Sequence, residues 1–271
     1  MATIDIGDTR LYYELSGGGP PLLFVHGMCG DAEVFAGQAR RFADRYTCVR
    51  YDRRGHSRSG LGGAAISVAR HTDDAAAVIE ALDLAPCLIV GSSSGAVIAL
   101  DVALRYRHLL RAAVLSEPPL FSLDRAAGEA AIEELTLVVE QALDTGGPSE
   151  AVDAFFRLIC PGLWSMIDER RKDRYRANAE IGFTDLRSPS LDISAVELSA
   201  LAIPTLVVTG DASHPVLRSV AHRLADAVPD ARLVELAGCG HVTYAEQPDA
   251  FARAVATFAA EIDRRTAPTL S

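Results

Sequence analysis

One stretch constrains this chain more than any other: Leu88-Ile89-Val90-Gly91-Ser92-Ser93-Ser94-Gly95-Ala96-Val97-Ile98-Ala99-Leu100. An apolar run leads into Gly-x-Ser-x-Gly, and a small-residue segment of helical character follows. Strand, tight turn and helix in that order put Ser93 at the apex of the turn, its Oγ exposed above the sheet edge. The two glycines suit a strained backbone and a helix packed close to the strand. The Ser94 amide opens the helix beside Oγ, where it and the positive helix end favour a developing negative charge. Ser92 and Ser94 lie off the apex and take backbone and packing roles.

The rest of the chain repeats strand and helix around this stretch. Residues 3–15 alternate about a turn at Gly7-Asp8 and read as an antiparallel hairpin. Pro21 to Val25 is a continuous apolar run, hence a buried strand ending at His26-Gly27-Met28-Cys29-Gly30. Asp31 caps a helix to about Asp44. A strand over residues 46–51 ends in Asp52-Arg53-Arg54-Gly55-His56-Ser57. Residues 71–84 have helical spacing, with Thr72 as the cap, and the helix after Ser93 runs to about Arg107. A strand over 111–116 ends at Glu117-Pro118-Pro119. Residues 120–200 break the rhythm. They predict helices over 132–142, 151–159 and 164–179, a loop from Phe183 to Ser190 containing Pro189, and no strand. Strands over 204–209 and 232–236 resume the alternation, with helices over 216–227 and from Pro248 to about Arg264 before a fraying tail. The fold expected is α/β: a mostly parallel twisted sheet with helices on both faces. Its core is 1–119 and 201–271, and 120–200 is an inserted helical lid. Ligand sites in such sheets lie off the carboxyl ends of the strands.

Composition excludes some functions. The net charge of −10 argues against nucleic acid and anionic membranes as partners. No apolar run reaches the ~18–20 residues of a membrane span, and Met1-Ala2-Thr3-Ile4-Asp5 does not open like a signal peptide. Five scattered cysteines without a C-x-x-C pair fit reduced thiols in the cytoplasm and no metal site. Cys239 reads as a small apolar filler. The single lysine, Lys172, sits in a charged helix face, so Schiff-base chemistry is not expected. No cofactor is implied. Oligomeric state is left open, a homodimer being one arrangement.

A serine hydroxyl needs a base at neutral pH. His241, after the last strand in a Gly-x-Gly-His turn, is on the right edge and in the right chain order. His71, His108 and His222 sit in helical or charged contexts and read as exposed. His56 lies at the edge of the site, His214 is too close to the acid loop to be the base, and His26 reads as structural. The Met28 amide is the second oxyanion donor, facing Ser94.

Together, His26-Gly27 after a strand, Asp52-x-Arg54-Gly55-x-Ser57-x-Ser59, Gly91-x-Ser93-x-Gly95 and a late Gly-His241 resemble the α/β-hydrolase superfamily over nearly the whole chain. Ser57 stands where many members have glycine. The resemblance places the acid at Ser213, which cannot act as a carboxylate. Glu117, ending the next strand on the same edge, is favoured, with Asp211 the alternative. The pattern is most similar to the zearalenone-type lactone hydrolases, with a Ser-Ser-Gly turn and a Glu-x-Pro segment. From that resemblance Ser93, Glu117 and His241 carry over. The expected function is hydrolysis of an ester or lactone of a small apolar substrate through an acyl-serine. Leu163, Trp164, Met166, Ile167 and Phe183 would line its pocket. A lyase, cyclase, perhydrolase or C–C bond hydrolase of the same fold, or a ligand receptor, are the alternatives.

Overall fold

The computed structural model describes residues 2–188 and 190–266; Pro189 and the end of the tail expected to fray lie outside them. Strands β1 (Ala2–Asp5) and β2 (Arg10–Ser16) form the hairpin, with Ile4 opposite Leu11. There follow β3 (Pro21–Val25), α1 (Ala36–Phe42), β4 (Thr47–Tyr51), α2 (Val68–Ala81), β5 (Cys87–Ser92), α3 (Ser94–Arg105) and β6 (Leu110–Ser116). Four helices come next, α4 (Arg125–Ile159), α5 (Pro161–Met166), α6 (Glu169–Arg176) and α7 (Ala179–Arg187), and a fifth short one, α8 (Ala195–Ser199). The chain closes with β7 (Thr205–Gly210), α9 (Pro215–Ala227), β8 (Ala231–Leu236), α10 (Thr243–Glu246) and α11 (Pro248–Thr266).

The sheet has eight strands in the order β1-β2-β4-β3-β5-β6-β7-β8. Only the β1–β2 and β2–β4 pairings are antiparallel. Alternation along the central strands splits the core in two. Leu22, Phe24, Leu88, Val90, Ala112 and Val114 face α1, α4 and α11. Leu23, Val25, Ile89, Ala113 and Leu115 face α2, α3 and α9. Every residue of β5 and β7 is buried, which explains their unbroken apolar runs.

Four local expectations are corrected. Ser67, not Thr72, caps α2: its Oγ accepts from the Arg70 amide at 3.1 Å, while Thr72 sits inside the helix and donates to Val68 O. The helix after Asp31 begins as a 3₁₀ turn before α1. The single helix expected over 164–179 is broken at Ile167, whose backbone is extended, and restarts where Asp168 caps α6. Most of the loop expected from Phe183 lies in α7, because Ala179, Gly182 and Phe183 make a buried face that outweighs the local loop signals. The two helices expected over 132–142 and 151–159 are found: within α4 the backbone of Gly147 (φ +73°) is not helical, and Pro148 opens the second helix. Among the described residues no helix is long and apolar enough to cross a membrane.

Candidate active site

Ser93 lies between β5 and α3 with φ 55° and ψ −126°, a region that L-residues with a Cβ rarely occupy. The Ser93 amide donates to Ser116 O at 2.9 Å and its carbonyl accepts from Ala96 N at 2.8 Å, so both neighbouring strand and helix hold the turn. The flanking glycines serve close approach. A Cβ on Gly91 would sit 2.2 Å from Gly95 O, and one on Gly95 would sit 2.2 Å from Val25 O. The strain is therefore in the serine itself. A Cβ on Gly27 would come 3.1 Å from Ser93 Cβ, so the bare backbone of the β3 turn keeps the serine clear. The Ser94 amide is in the first turn of α3, among those that a helix leaves without an intrahelical partner.

His241 and Ser93 line one small cavity with Gly27 and Met28. On its other side the His241 ring meets Glu117, Nδ1 to Oε2 at 3.2 Å, and both side chains are almost fully buried. Glu117 is itself at positive φ (52°) where β6 ends. Its Oε1 accepts from Thr209 Oγ1 and, at 2.9 Å, from the Gly210 amide; its Oε2 also accepts from Ser213 Oγ. The serine that stands at the family's usual acid position thus bonds the carboxylate on the neighbouring strand. Asp211 is placed elsewhere. Its Oδ1 accepts from the amides of Gly238 at 2.7 Å and Cys239 at 3.3 Å, which ties down the turn leading to His241. Cys239 is fully buried and burial pushes its thiol up to about 12, so no thiolate is present near neutral pH.

The loop after β3 is held by groups far away in sequence. Asn178, between α6 and α7, donates to Cys29 O at 3.1 Å and Gly30 O at 3.0 Å and accepts from Ser57 N at 2.8 Å. This gives Ser57 its place in the loop. His26 is buried; Nε2 accepts from Arg53 N and Nδ1 donates to Gly27 O, both at 2.9 Å. Burial, with Arg53 nearby, depresses its pKa far below the ordinary range, so the ring is neutral. His56 is fully buried, away from the edge of the cavity, with Nδ1 on Arg54 O at 3.0 Å. His71, expected to be exposed, is buried too, with Nε2 on Asp185 Oδ1 at 2.9 Å. Asp185, on α7, also pairs with Arg53 at 2.7 Å. Charged neighbours on α2 concealed this: the partner of His71 comes from another element.

Of the five residues expected in the substrate pocket, none lines the Ser93 cavity. Trp164 stacks on Phe156 with centroids 4.6 Å apart, Phe183 is core, and Met166 is 73% exposed. Leu163 and Ile167 line a larger neighbouring cavity. The Ser93 cavity is walled instead by Phe155, Phe156, Ile159, Tyr175 and Tyr244. The spacing of Phe155 and Ile159 on one helical face was a signal available in the sequence; the two tyrosines gave none. Lys172 pairs with Glu169 and lies over the Trp164 ring.

A serine at a strand-to-helix turn above a mostly parallel eight-stranded sheet is the architecture of the α/β hydrolases. The sequence model of the alpha/beta hydrolase family matches residues 22–254, and the chain belongs to that family. The uncharacterized hydrolase YraK of Bacillus subtilis is 40% identical over 123 residues, an alignment spanning 45% of either chain. The 2-(acetamidomethylene)succinate hydrolase of Mesorhizobium japonicum is 25% identical and aligns over 94% of this chain and 93% of its own. The enol-lactonase of Burkholderia xenovorans superposes with TM-score 0.78 at 20% identity, covering 96% of this chain and 100% of that one, a likeness of fold alone. An alpha/beta hydrolase from Sphaerobacter thermophilus gives 0.75 at 27% identity, covering 95% and 99%.

Proposed function

We propose that this hydrolase cleaves a carboxylic ester or lactone through an acyl-serine, with Ser93 as nucleophile, His241 as base and Glu117 as acid. The reading rests above all on Glu117: a buried carboxylate 3.2 Å from the ring that shares a cavity with the serine. His241 takes the hydroxyl proton as Oγ attacks the carbonyl. The Met28 and Ser94 amides receive the oxyanion. The proton returns to the leaving oxygen, and water then releases the acid by the same steps. Glu117 fixes the tautomer with Nδ1–H and balances the imidazolium. It suits that role because its other partners are neutral donors. Asp211, whose Oδ1 is held by two backbone amides, is the weaker candidate.

Residues 120–200 act in this reading as a lid on the core formed by 1–119 and 201–271. The partner is a small-molecule substrate. Five free, buried cysteines support a reducing, cytoplasmic setting. The enol-lactonase and the 2-(acetamidomethylene)succinate hydrolase are the relatives whose names suit this chemistry. A fluorophosphonate probe and a short-chain aryl ester test it. Wild type is labelled at Ser93 and turns the ester over; Ser93→Ala loses the label and at least ~10⁴-fold in kcat/KM. Undiminished turnover by the variant removes the serine mechanism.

A further inference from the structure

Two cavities adjoin at the site. The one at Ser93 is small, about 30 Å³. The other, about 390 Å³, is open to solvent and shares Gly30, Val34, Tyr175 and Tyr244 with it as wall. Tyr175 comes from α6 and Tyr244 from α10, and both line the two cavities, so a tyrosine pair stands in the partition.

The outer cavity is basic, although the chain carries a net charge of −10. Its charged lining is Arg40, Arg41, Arg171 and Arg174 against Asp31 and Glu33. Arg174 is neutralised by Asp31, and Arg41 pairs with Asp249 at 2.8 Å. Glu33 reaches Arg58 at 4.0 Å. Among the described residues no carboxylate pairs with Arg40 or Arg171, which are exposed on α1 and α6, one on the core and one on the helical segment. A negatively charged molecule is repelled by the protein as a whole and drawn only where local positive potential exceeds that field.

Building on the serine hydrolase reading, we propose that the outer cavity is a vestibule for an anionic substrate: Arg40 and Arg171 in its lining take a carboxylate while the ester or lactone carbonyl passes the tyrosine pair to Ser93. The substrate class is then a half-ester of a dicarboxylic acid or a carboxylate-bearing lactone. Neutral apolar esters lack the group that the two free guanidinium ions bind.

The test compares mono-4-nitrophenyl glutarate with 4-nitrophenyl pentanoate, which differ by the terminal carboxylate. The readout is the ratio of their kcat/KM values in wild type, Arg40→Gln, Arg171→Gln and the double variant. Each single change is expected to lower the ratio about tenfold and the double change about a hundredfold, mostly through the KM of the anionic ester. Raising NaCl to 0.5 M should lower the wild-type ratio as well. A ratio that neither substitution alters overturns the vestibule. Should wild type cleave neither ester, the acyl-transfer reading fails, and calorimetric titration of glutarate still decides the vestibule. Binding to wild type that the double variant loses supports it, and no binding to wild type ends it.

Discussion

Two buried carboxylates among the described residues face an imidazole at 3.2 Å or less, Glu117 with His241 at 3.2 Å and Asp185 with His71 at 2.9 Å, and their surroundings differ. Glu117 is bonded by two hydroxyls and an amide, all neutral, so its negative charge is left for the ring. Asp185 pairs with the Arg53 guanidinium, which already cancels it. Burial tends to raise the Asp185 carboxyl, yet Arg53 and His71 hold it well below the usual carboxylate range. Burial and Arg53 together push the His71 pKa down. Its Nδ1 has no partner, which a neutral ring tolerates better than an imidazolium with a buried, unpaired N–H. An arginine beside the carboxylate thus separates the pair proposed to take up a proton in turnover from one that locks α7 to α2 and to the loop after β4.

Removing charge from each pair should therefore do opposite things. Glu117→Gln should lower kcat/KM for a short aryl ester by ~10²–10⁴-fold with a small change in melting temperature; a modest kinetic loss would remove the distinction. Asp185→Asn leaves Arg53 buried without its counter-charge and should cost about 3–5 kcal/mol in a denaturant titration. Its folded fraction should keep kcat within about tenfold of wild type, since the pair touches no reacting atom. Acid sharpens the contrast. His26, His56 and His71 all have folded pKa values below the ordinary one, chiefly from burial. The unfolded chain then binds protons that the folded chain refuses once the pH drops below about 6.5. Their contribution is complete above that value and is lost as pH falls towards the folded pKa values. Asp185 acts in the same direction in a lower window: its contribution is complete above about 4 and is lost as the pH falls below that. Melting temperature should fall between pH 6.5 and 5; a flat profile would mean the buried imidazoles are charged after all. Asp211→Asn should have the smallest effect, a few-fold in activity and about 1 kcal/mol in stability, because an amide oxygen can still accept from Gly238 and Cys239. A loss exceeding that of Glu117→Gln would move the acid to Asp211.

The central strands were legible because each buried run is local; the turns holding Ser93 and Glu117 end such runs, and that holding His241 follows the half-exposed β8. What could not be read is what the helical segment does to those turns. Asn178 meets Cys29 and Gly30, and Asp185 meets His71 and Arg53, across more than a hundred residues of chain. No periodicity marks such contacts. Polar neighbours made His71 look like a surface residue, and the Gly and Thr of α7 hid a helix that the burial of Ala179, Gly182 and Phe183 reveals. Which of the expected apolar residues would line a cavity was hidden for a related reason. The aromatic side chains were recognised as apolar, but which of them pack on one another, as Trp164 does on Phe156, depends on how α4, α5 and α6 cross.

The chamber at Ser93, at about 30 Å³, has space for a water or two and for no ester. If Ser93 is the nucleophile proposed above, a substrate carbonyl reaches its hydroxyl only once Phe155, Phe156 or Tyr175 gives way, and turnover should then depend on displacement of their helices as well as on bond breaking. A more viscous solvent should then slow the enzyme even where the chemistry itself is fast.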